Sequence, residues 1–380
     1  MKKKLFSLCM ATAIAICGAA SVSAADGWMQ ETEMNAGDHS LTMVLWEDTY
    51  DSLVEAMSAS DITIVGTVTS QSVEVRDEVY FTHSYVEAPD GEIYDVLQTG
   101  AMIGGNEVGV PYDAPLLETG KEYFLSIYQT DYDELYGQYY LISGGSQGYG
   151  EFDSETMSVA AVSESHRSLF SSFSLSESNI NLSDISVASV DVNSIVETYS
   201  EPVLPLDYMV WDIWNGVLPK YWVTIGNIHV TSDIYPAIED GAASWSGEYP
   251  GLYVRKASSR STANVDIYLS RMGDTGIIGT TTPYVDGDLY AGADRYDVIV
   301  GADIELNADT SHAFTADFWQ SITCHEMGHA LSLMHNGGGG NNPRAIMNPD
   351  YKLFADTWKL TEPQTEDVRK LEEKYGKEYY

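Results

Sequence analysis

The sequence predicts a multidomain chain: a small N-terminal β-barrel, a serine-rich linker and a C-terminal α+β domain. Three observations predict it. From Asp61 to about Gly145 the apolar residues come in short strand-like runs, with no helix of consequence between them. From Asp153 to about Pro205 serine dominates, as in S-S-F-S-L-S-E-S-N, and few residues could anchor a core. Beyond Leu206 strand-like and helical periods alternate, and one helix carries a cluster of histidines.

The chain has 380 residues, enough for two or three domains with their own cores. It opens M-K-K-K, runs almost wholly apolar from Leu5 to Ala20, and continues S-V-S-A-A-D. That is the order of a secretory signal peptide, with cleavage expected after Ala24 or Ala25, so the mature protein is expected to be secreted and extracellular. The expected organisation is then signal peptide 1–24, acidic barrel segment 25–153 with its core from about residue 60, linker 154–205 and α+β domain 206–380. Cys9 and Cys17 leave with the signal, so no internal disulfide is expected, and Cys324 reads as a small buried hydrophobe.

Charge is distributed unevenly. The whole chain carries −38, and the stretch from Asp26 to Pro205 holds 32 acidic against 3 basic residues. A surface this acidic excludes general nucleic-acid binding and reads as solubility outside the cell. No membrane association is expected after signal removal, and the expected state is a monomer.

Taken in order, Thr49 to Ser58 has the spacing of a short amphipathic helix, with Leu53, Val54 and Met57 on one side. Strands are expected in I-T-I-V-G-T-V-T, V-E-V-R-D-E-V-Y-F-T-H-S-Y-V and E-I-Y-D-V-L, parted by turn residues such as Pro89-Asp90-Gly91. G-A-M-I-G-G-N-E-V-G-V, K-E-Y-F-L-S-I-Y-Q and Y-Y-L-I-S-G-G follow. In the C-terminal part, Tyr221–Ile225, Leu252–Lys256, Asn264–Ser270 and Val298–Leu306 read as strands. Ile234–Trp245 reads as a helix with Ile238, Ala242 and Trp245 on one stripe. Gly276–Tyr284 is extended but ends near proline, which suits a sheet edge. A helix from Ala313 to about Leu333 is expected, capped from Asp309-Thr310-Ser311, and a last helix from Thr361 to Tyr375.

The chemistry lies in T-C-H-E-M-G-H-A-L-S-L-M-H, Thr323 to His335. His325 and His329 are four apart, so on a helix they share one face, roughly 6 Å apart along the axis. Two imidazoles there can converge on one ion. Glu326 follows the first, where a carboxylate can sit beside the metal without binding it and take a proton from the attacking water. On a continued helix His335 would lie about 9 Å beyond His329, out of reach. It can be a third ligand only if the helix stops and the chain turns back, which the run N-G-G-G-G-N-N from Asn336 to Asn342 favours. Three neutral imidazoles would leave the open fourth position of a catalytic zinc site.

From about Leu206 onward the chain resembles the metzincin zinc endopeptidases, in their matrixin-like bacterial branch. The family pattern is H-E-x-x-H-x-x-G-x-x-H with a later Met-turn. His325, Glu326, His329 and His335 fall on it, A-I-M-N-P-D-Y (Ala345 to Tyr351) is similar to the matrixin turn, and A-D-I-E-L-N (Ala302 to Asn307) to the strand before the active-site helix. The resemblance implies a zinc-dependent hydrolase of protein or peptide substrates, with Glu326 as general base. It implies Met347 as the floor under the zinc, and Pro349 to Tyr351 as the wall of the pocket for the residue after the scissile bond. It also implies that the strand within Gly276–Tyr284 pairs with an extended substrate. The N-terminal segment resembles small exported barrels of the OB-fold and netrin type, through I-V-G-T-V, V-L-Q-T-G, G-G at Gly104-Gly105, P-L-L-E-T-G-K-E-Y-F-L and G-S-Q-G. It is read as an independent targeting or binding module.

Three departures stand out. Ser332 replaces the glycine that turns the chain after the helix, at about 1 kcal/mol or more if the position needs positive φ. No mature cysteine precedes the domain to hold it latent, and the second zinc site of animal matrixins has no candidates, since His312 is the only other histidine nearby. The run Asp286 to Asp297 (D-G-D-L-Y-A-G-A-D-R-Y-D) could bind calcium through oxygens, but its spacing is no EF-hand and an acidic loop is preferred. Two rival readings remain: a carboxylate third ligand from Glu362 or Glu366, and a non-catalytic exported binding protein on a degenerate scaffold.

Overall fold

A short strand, β1 (Met43–Trp46), and a helix, α1 (Leu53–Ala59), precede the barrel. In this computed structural model the structure describes residues 42–162 and 208–377, apart from 47–49, 51–52, 77–78, 112, 132–135, 146, 155–157, 227, 229, 292–293, 310–314 and 337–343. The expected signal peptide and most of the expected linker lie outside the described residues.

The strand-like runs after Asp61 close on themselves. β2 (Ile62–Arg76) pairs antiparallel with β3 (Val79–Glu87), and β3 with β4 (Ile93–Thr99). A small hairpin, β5 (Ala101–Ile103) and β6 (Asn106–Val108), follows. β7 (Glu122–Gln129) returns to β2, and β8 (Tyr140–Ile142) pairs with both β4 and β7, so the ring β7–β2–β3–β4–β8–β7 is complete. Alternating residues fill it: Val68, Val86, Val96, Leu125 and Ile127 are fully buried. β9 (Tyr149–Asp153) and β10 (Ser158–Ala161) extend the sheet from β7. Four residues expected in the linker are therefore a strand, because Val159 and Ala161 have an apolar face to cover.

The C-terminal part is a second sheet with three helices. Its elements are β11 (Met209–Trp211), β12 (Lys220–Ile225), α2 (Ile234–Ala243), β13 (Arg255–Lys256), β14 (Val265–Ser270), β15 (Ile277–Ala291), β16 (Asp294–Asn307), α3 (Ala316–Ala330) and α4 (Thr365–Tyr375). The order is β1-β15-β16-β14-β12-β13, with β11 beside β16. β12, β13, β14 and β16 run parallel, and β15 runs against them. Ile238, Ala242 and Trp245 make the expected buried stripe of α2 and its exit turn. Pro283 lies past the residues of β15 that meet β1, so its missing N–H is not asked for by a third strand. Two boundaries move inward. α3 starts at Ala316 because Thr315 caps it, accepting from the Phe318 amide, rather than Asp309–Ser311. α4 starts at Thr365 behind a Gln364–Asp367 capping box rather than at Thr361.

The barrel is docked on this second sheet rather than standing apart, and the described residues fall into one compact unit. Buried Arg76 of β2 donates to the Met272 carbonyl (3.1 Å) and to the Tyr139 hydroxyl (2.9 Å), and Tyr139 donates to the Asp274 carbonyl (2.7 Å). Val44, Phe81 and Leu141 share a buried apolar cluster with Met272 and Ile277. Among the described residues, no helix is long and apolar enough to cross a membrane.

Candidate metal centre

Almost every residue of α3 from Phe318 onward is buried, so polar groups on it need partners inside the protein. His325 and His329 have theirs. The Nδ1 of His325 lies 2.7 Å from the Ile346 carbonyl, and that of His329 lies 2.7 Å from the Leu333 carbonyl. A carbonyl only accepts, so both rings carry their proton on Nδ1 and turn a bare Nε2 inward.

The third imidazole arrives because the helix stops in time. Ser332 takes φ of 64°, its amide bonds the His329 carbonyl, and the Leu333 amide bonds the Gly328 carbonyl. This is a Schellman ending with serine where glycine is usual. The Ser332 hydroxyl donates to the Met209 carbonyl of β11, which offsets the strain of a left-handed residue with a side chain. The helix therefore ends at Ala330, short of the expected Leu333, and the chain turns back to bring His335 beside the other two.

The three Nε2 atoms lie 3.1 Å from one another. Zinc bonded at about 2.0–2.1 Å in a tetrahedral set would hold its nitrogens roughly 3.3 Å apart. Lone pairs converging at this distance have no proton to share, and a cation placed among them would satisfy all three. Burial lowers the His325 pKa to about 4 and holds His329 and His335 well below the ordinary value, so all three are neutral at pH 7, the form that can ligate a metal. The three histidines lie close enough to hold a metal ion, and no other His, Cys, Asp or Glu group among the described residues converges in this way. Neither Glu362 nor Glu366 joins them, and Glu366 pairs with Arg369.

Glu326 is fully buried beside this set. Thr281 of β15 donates its hydroxyl to Glu326 Oε2 (2.7 Å), while Oε1 has no hydrogen-bond partner among the described residues. Burial pushes the carboxyl up to about 8, against the Thr281 hydrogen bond. Gly279 is what allows the approach: a Cβ there would lie 2.6 Å from Glu326 Oε1.

Below the histidines, Met347 is fully buried, and a Cβ on Gly328 would stand 2.2 Å from its sulfur. Pro349 is half-buried, and Tyr351 is buried against Phe318. Phe354 stacks on the His325 ring at 5.0 Å. The turn that carries Met347 hangs on Asp367 of α4, which accepts from the amides of Ile346 (2.8 Å), Met347 (3.1 Å) and Gln364 (2.8 Å) and from the Asn336 side chain (3.1 Å).

No protein-family model matches this chain, and no curated protein matches it. The functional reading comes from the residues.

Thr281, Gly279, Phe354 and Asp367 carry no signal in the sequence. Each reaches the site through a contact made across 20 residues or more, from Asp367 to Met347 upward. Cys324 is buried as expected, with burial holding its thiol above the ordinary range. The acidic run from Asp286 forms the outer arms of β15 and β16, where Arg295 bonds Asp288 and Asp297.

Proposed function

We propose that the protein is a zinc-dependent endopeptidase of matrixin-like metzincin type, secreted and acting on protein or peptide substrates. The observation that carries the reading is three convergent imidazole nitrogens with a carboxylate one residue from the first of them on the same helix. Imidazole donors suit zinc and not calcium or magnesium, which take oxygen. His325, His329 and His335 would hold it. When bound, zinc supplies Lewis-acid chemistry, polarising a carbonyl and acidifying water.

The rest belongs to the chain. Glu326 takes the proton of the attacking water and delivers it to the leaving amine. A cation next to it favours the charged carboxylate and reverses the effect of burial. Thr281 fixes which oxygen of Glu326 is held and which is free to work. The edge of β15 would offer backbone groups to an extended peptide once β1, which pairs with it in this structure, has left it, and Met347, Pro349 and Tyr351 would complete the floor and wall that the metzincin resemblance assigns them.

Glu326→Gln leaves every ligand in place and removes the base. Zinc should bind as before, while peptide hydrolysis falls by roughly 10²–10⁴-fold. Zinc content by metal analysis and cleavage of a mixed peptide library check this, and near-normal cleavage by the metallated variant would sink the mechanism.

A further inference from the structure

An extended peptide needs the free edge of β15, and a stretch of the same chain already lies on it. β1 pairs antiparallel with β15: Met43 opposite Thr281, Val44 opposite Thr280, Leu45 opposite Gly279, Trp46 opposite Ile277. The hydroxyls of Thr42 and Thr282 meet at 2.8 Å. Side chains directly opposite in an antiparallel pair share a face. Gly279 and Thr281 are the β15 positions turned to Glu326, one by the path of its missing Cβ and the other by its hydrogen bond. Leu45 and Met43 therefore lie on the face of the sheet that looks at the catalytic helix, and both are fully buried in the same core as Met327 and Met347. Val44 and Trp46 take the opposite face and pack with Val79, Phe81 and Tyr128 of the barrel.

We infer that Thr42–Trp46 is a built-in pseudosubstrate. It occupies the strand position that a substrate takes on β15, and its pattern names the class of peptide that the edge accepts: an extended segment with apolar residues at alternate positions, Met43 and Leu45 here, facing the metal centre. The inference rests on the endopeptidase reading for the word substrate, while the occupancy of the edge is independent of it. Two observations fit. Glu326, His325 and His329 have no solvent exposure, although a working general base must meet water. The barrel packs on the strand's other face through Phe81 and Leu141, and the Arg76–Met272 bond ties it to the loop before β15, so barrel and strand close the edge together. A strand tethered in the same chain competes at an effective concentration of the order of millimolar, so a free peptide reaches the edge only in the fraction of molecules that have released it.

The test uses the full mature chain and a blocked-end fluorescent peptide, Thr-Met-Val-Leu-Trp. In a Met43→Glu/Leu45→Glu variant two charges would sit on the buried face, so β1 should leave. The variant should bind the peptide roughly tenfold or more tighter than the native chain does, and the β15 amides at Gly279–Thr281 should exchange faster until peptide is added. Should that variant fail to melt cooperatively, a Thr42→Cys/Thr282→Cys variant keeps the native faces. Oxidised, it should refuse the peptide; reduced, in mild urea, it should accept it. Equal peptide binding by the native and charged chains, or by the oxidised and reduced forms, would overturn the inference. Peptide exchange without cleavage by the zinc-loaded, strand-released chain would support the occupancy and count against the endopeptidase instead.

Discussion

The two sides of the proposed cleft are built from very different distances along the chain. On the helix side His325, Glu326, His329 and His335 fall within eleven residues, and Ile346, Met347, Phe354 and Asp367, which hold them, follow soon after. None of the hydrogen bonds that fix those ligands reaches a residue before Met209. On the strand side β15 meets a partner 240 residues away at Thr42–Thr282, and the barrel meets its loop 196 residues away at Arg76–Met272. β1 makes none of the hydrogen bonds that fix the ligands, so its release would break none of them. The strand side can be removed without unmaking the ligands, which is the property a releasable cover needs.

The comparison breaks most sharply at Asp367. Its carboxyl gathers three backbone amides and one side-chain amide around the Met347 turn, and burial pushes its pKa up despite them. Asp367→Ala leaves those donors buried and unpaired, at a cost of about 3 kcal/mol or more. Because the Ile346 carbonyl orients His325, zinc affinity should also fall, by roughly 10–100-fold. Urea unfolding and a competitive zinc titration measure both. A variant with native affinity would show that the helix side does not depend on this turn.

Much of the helix side was legible because its chemistry is local. An i, i+4 histidine pair with glutamate between needs only a helix, whereas the turn that returns His335 is made at Ser332, ahead of the glycine run from 337, which lies outside the described residues. The helix ends were less so: Asp309, Thr310, Ser311 and Thr315 can all cap, and only packing selects Thr315. Asp367 reads as an ordinary first-turn acid, since nothing in α4 says which amides it will meet. β1 was illegible for a different reason. Its residues alternate between two cores, the C-terminal one for Met43 and Leu45 and the joint with the barrel for Val44 and Trp46, so M-V-L-W shows no alternation at all. A strand buried on both faces reads as an unbroken apolar run. The barrel strands have polar turns between them, and those turns made the ring visible.

A smaller effect sharpens the helix side at Ser332. Its left-handed backbone disfavours a side chain by about 1 kcal/mol, and its hydroxyl bond to Met209 returns about as much. Ser332→Gly should change stability by less than about 1 kcal/mol, because strain and bond vanish together. Ser332→Ala keeps the strain and loses the bond, so it should be less stable than Ser332→Gly by about 1–2 kcal/mol. Equal unfolding midpoints for the two variants would mean that the hydroxyl bond does not hold the turn.

The smallest effect is on the strand side, in the charges behind Arg76. Arg76 donates to Glu74 (2.8 Å) and lies over the rings of Tyr136, Tyr139 and Phe81. His83 places Nε2 2.9 Å from the same Glu74 carboxylate and Nδ1 2.8 Å from Asp95. Both ring nitrogens face acceptors, so only the doubly protonated imidazolium satisfies both. Burial works against that charge, but the bonds to Asp95 and Glu74 prevail and hold the His83 pKa above 6.5. Burial likewise raises Glu74, and Arg76 and His83 outweigh it, leaving its pKa below 4.5. A raised histidine contributes fully below its unfolded value and loses that contribution as pH rises through the folded one. A lowered glutamate contributes above its unfolded value and loses it as pH falls through the folded one. The network is therefore strongest between pH 4.5 and 6.5. His83→Gln should lower the unfolding free energy from urea titration most near pH 5.5, by no more than about 1 kcal/mol for a pair of carboxylates that solvent still reaches, and hardly at all near pH 9. A loss that grew with pH instead would mean that His83 sits neutral in the fold, and that the clamp behind Arg76 rests on the rings and the Met272 carbonyl alone.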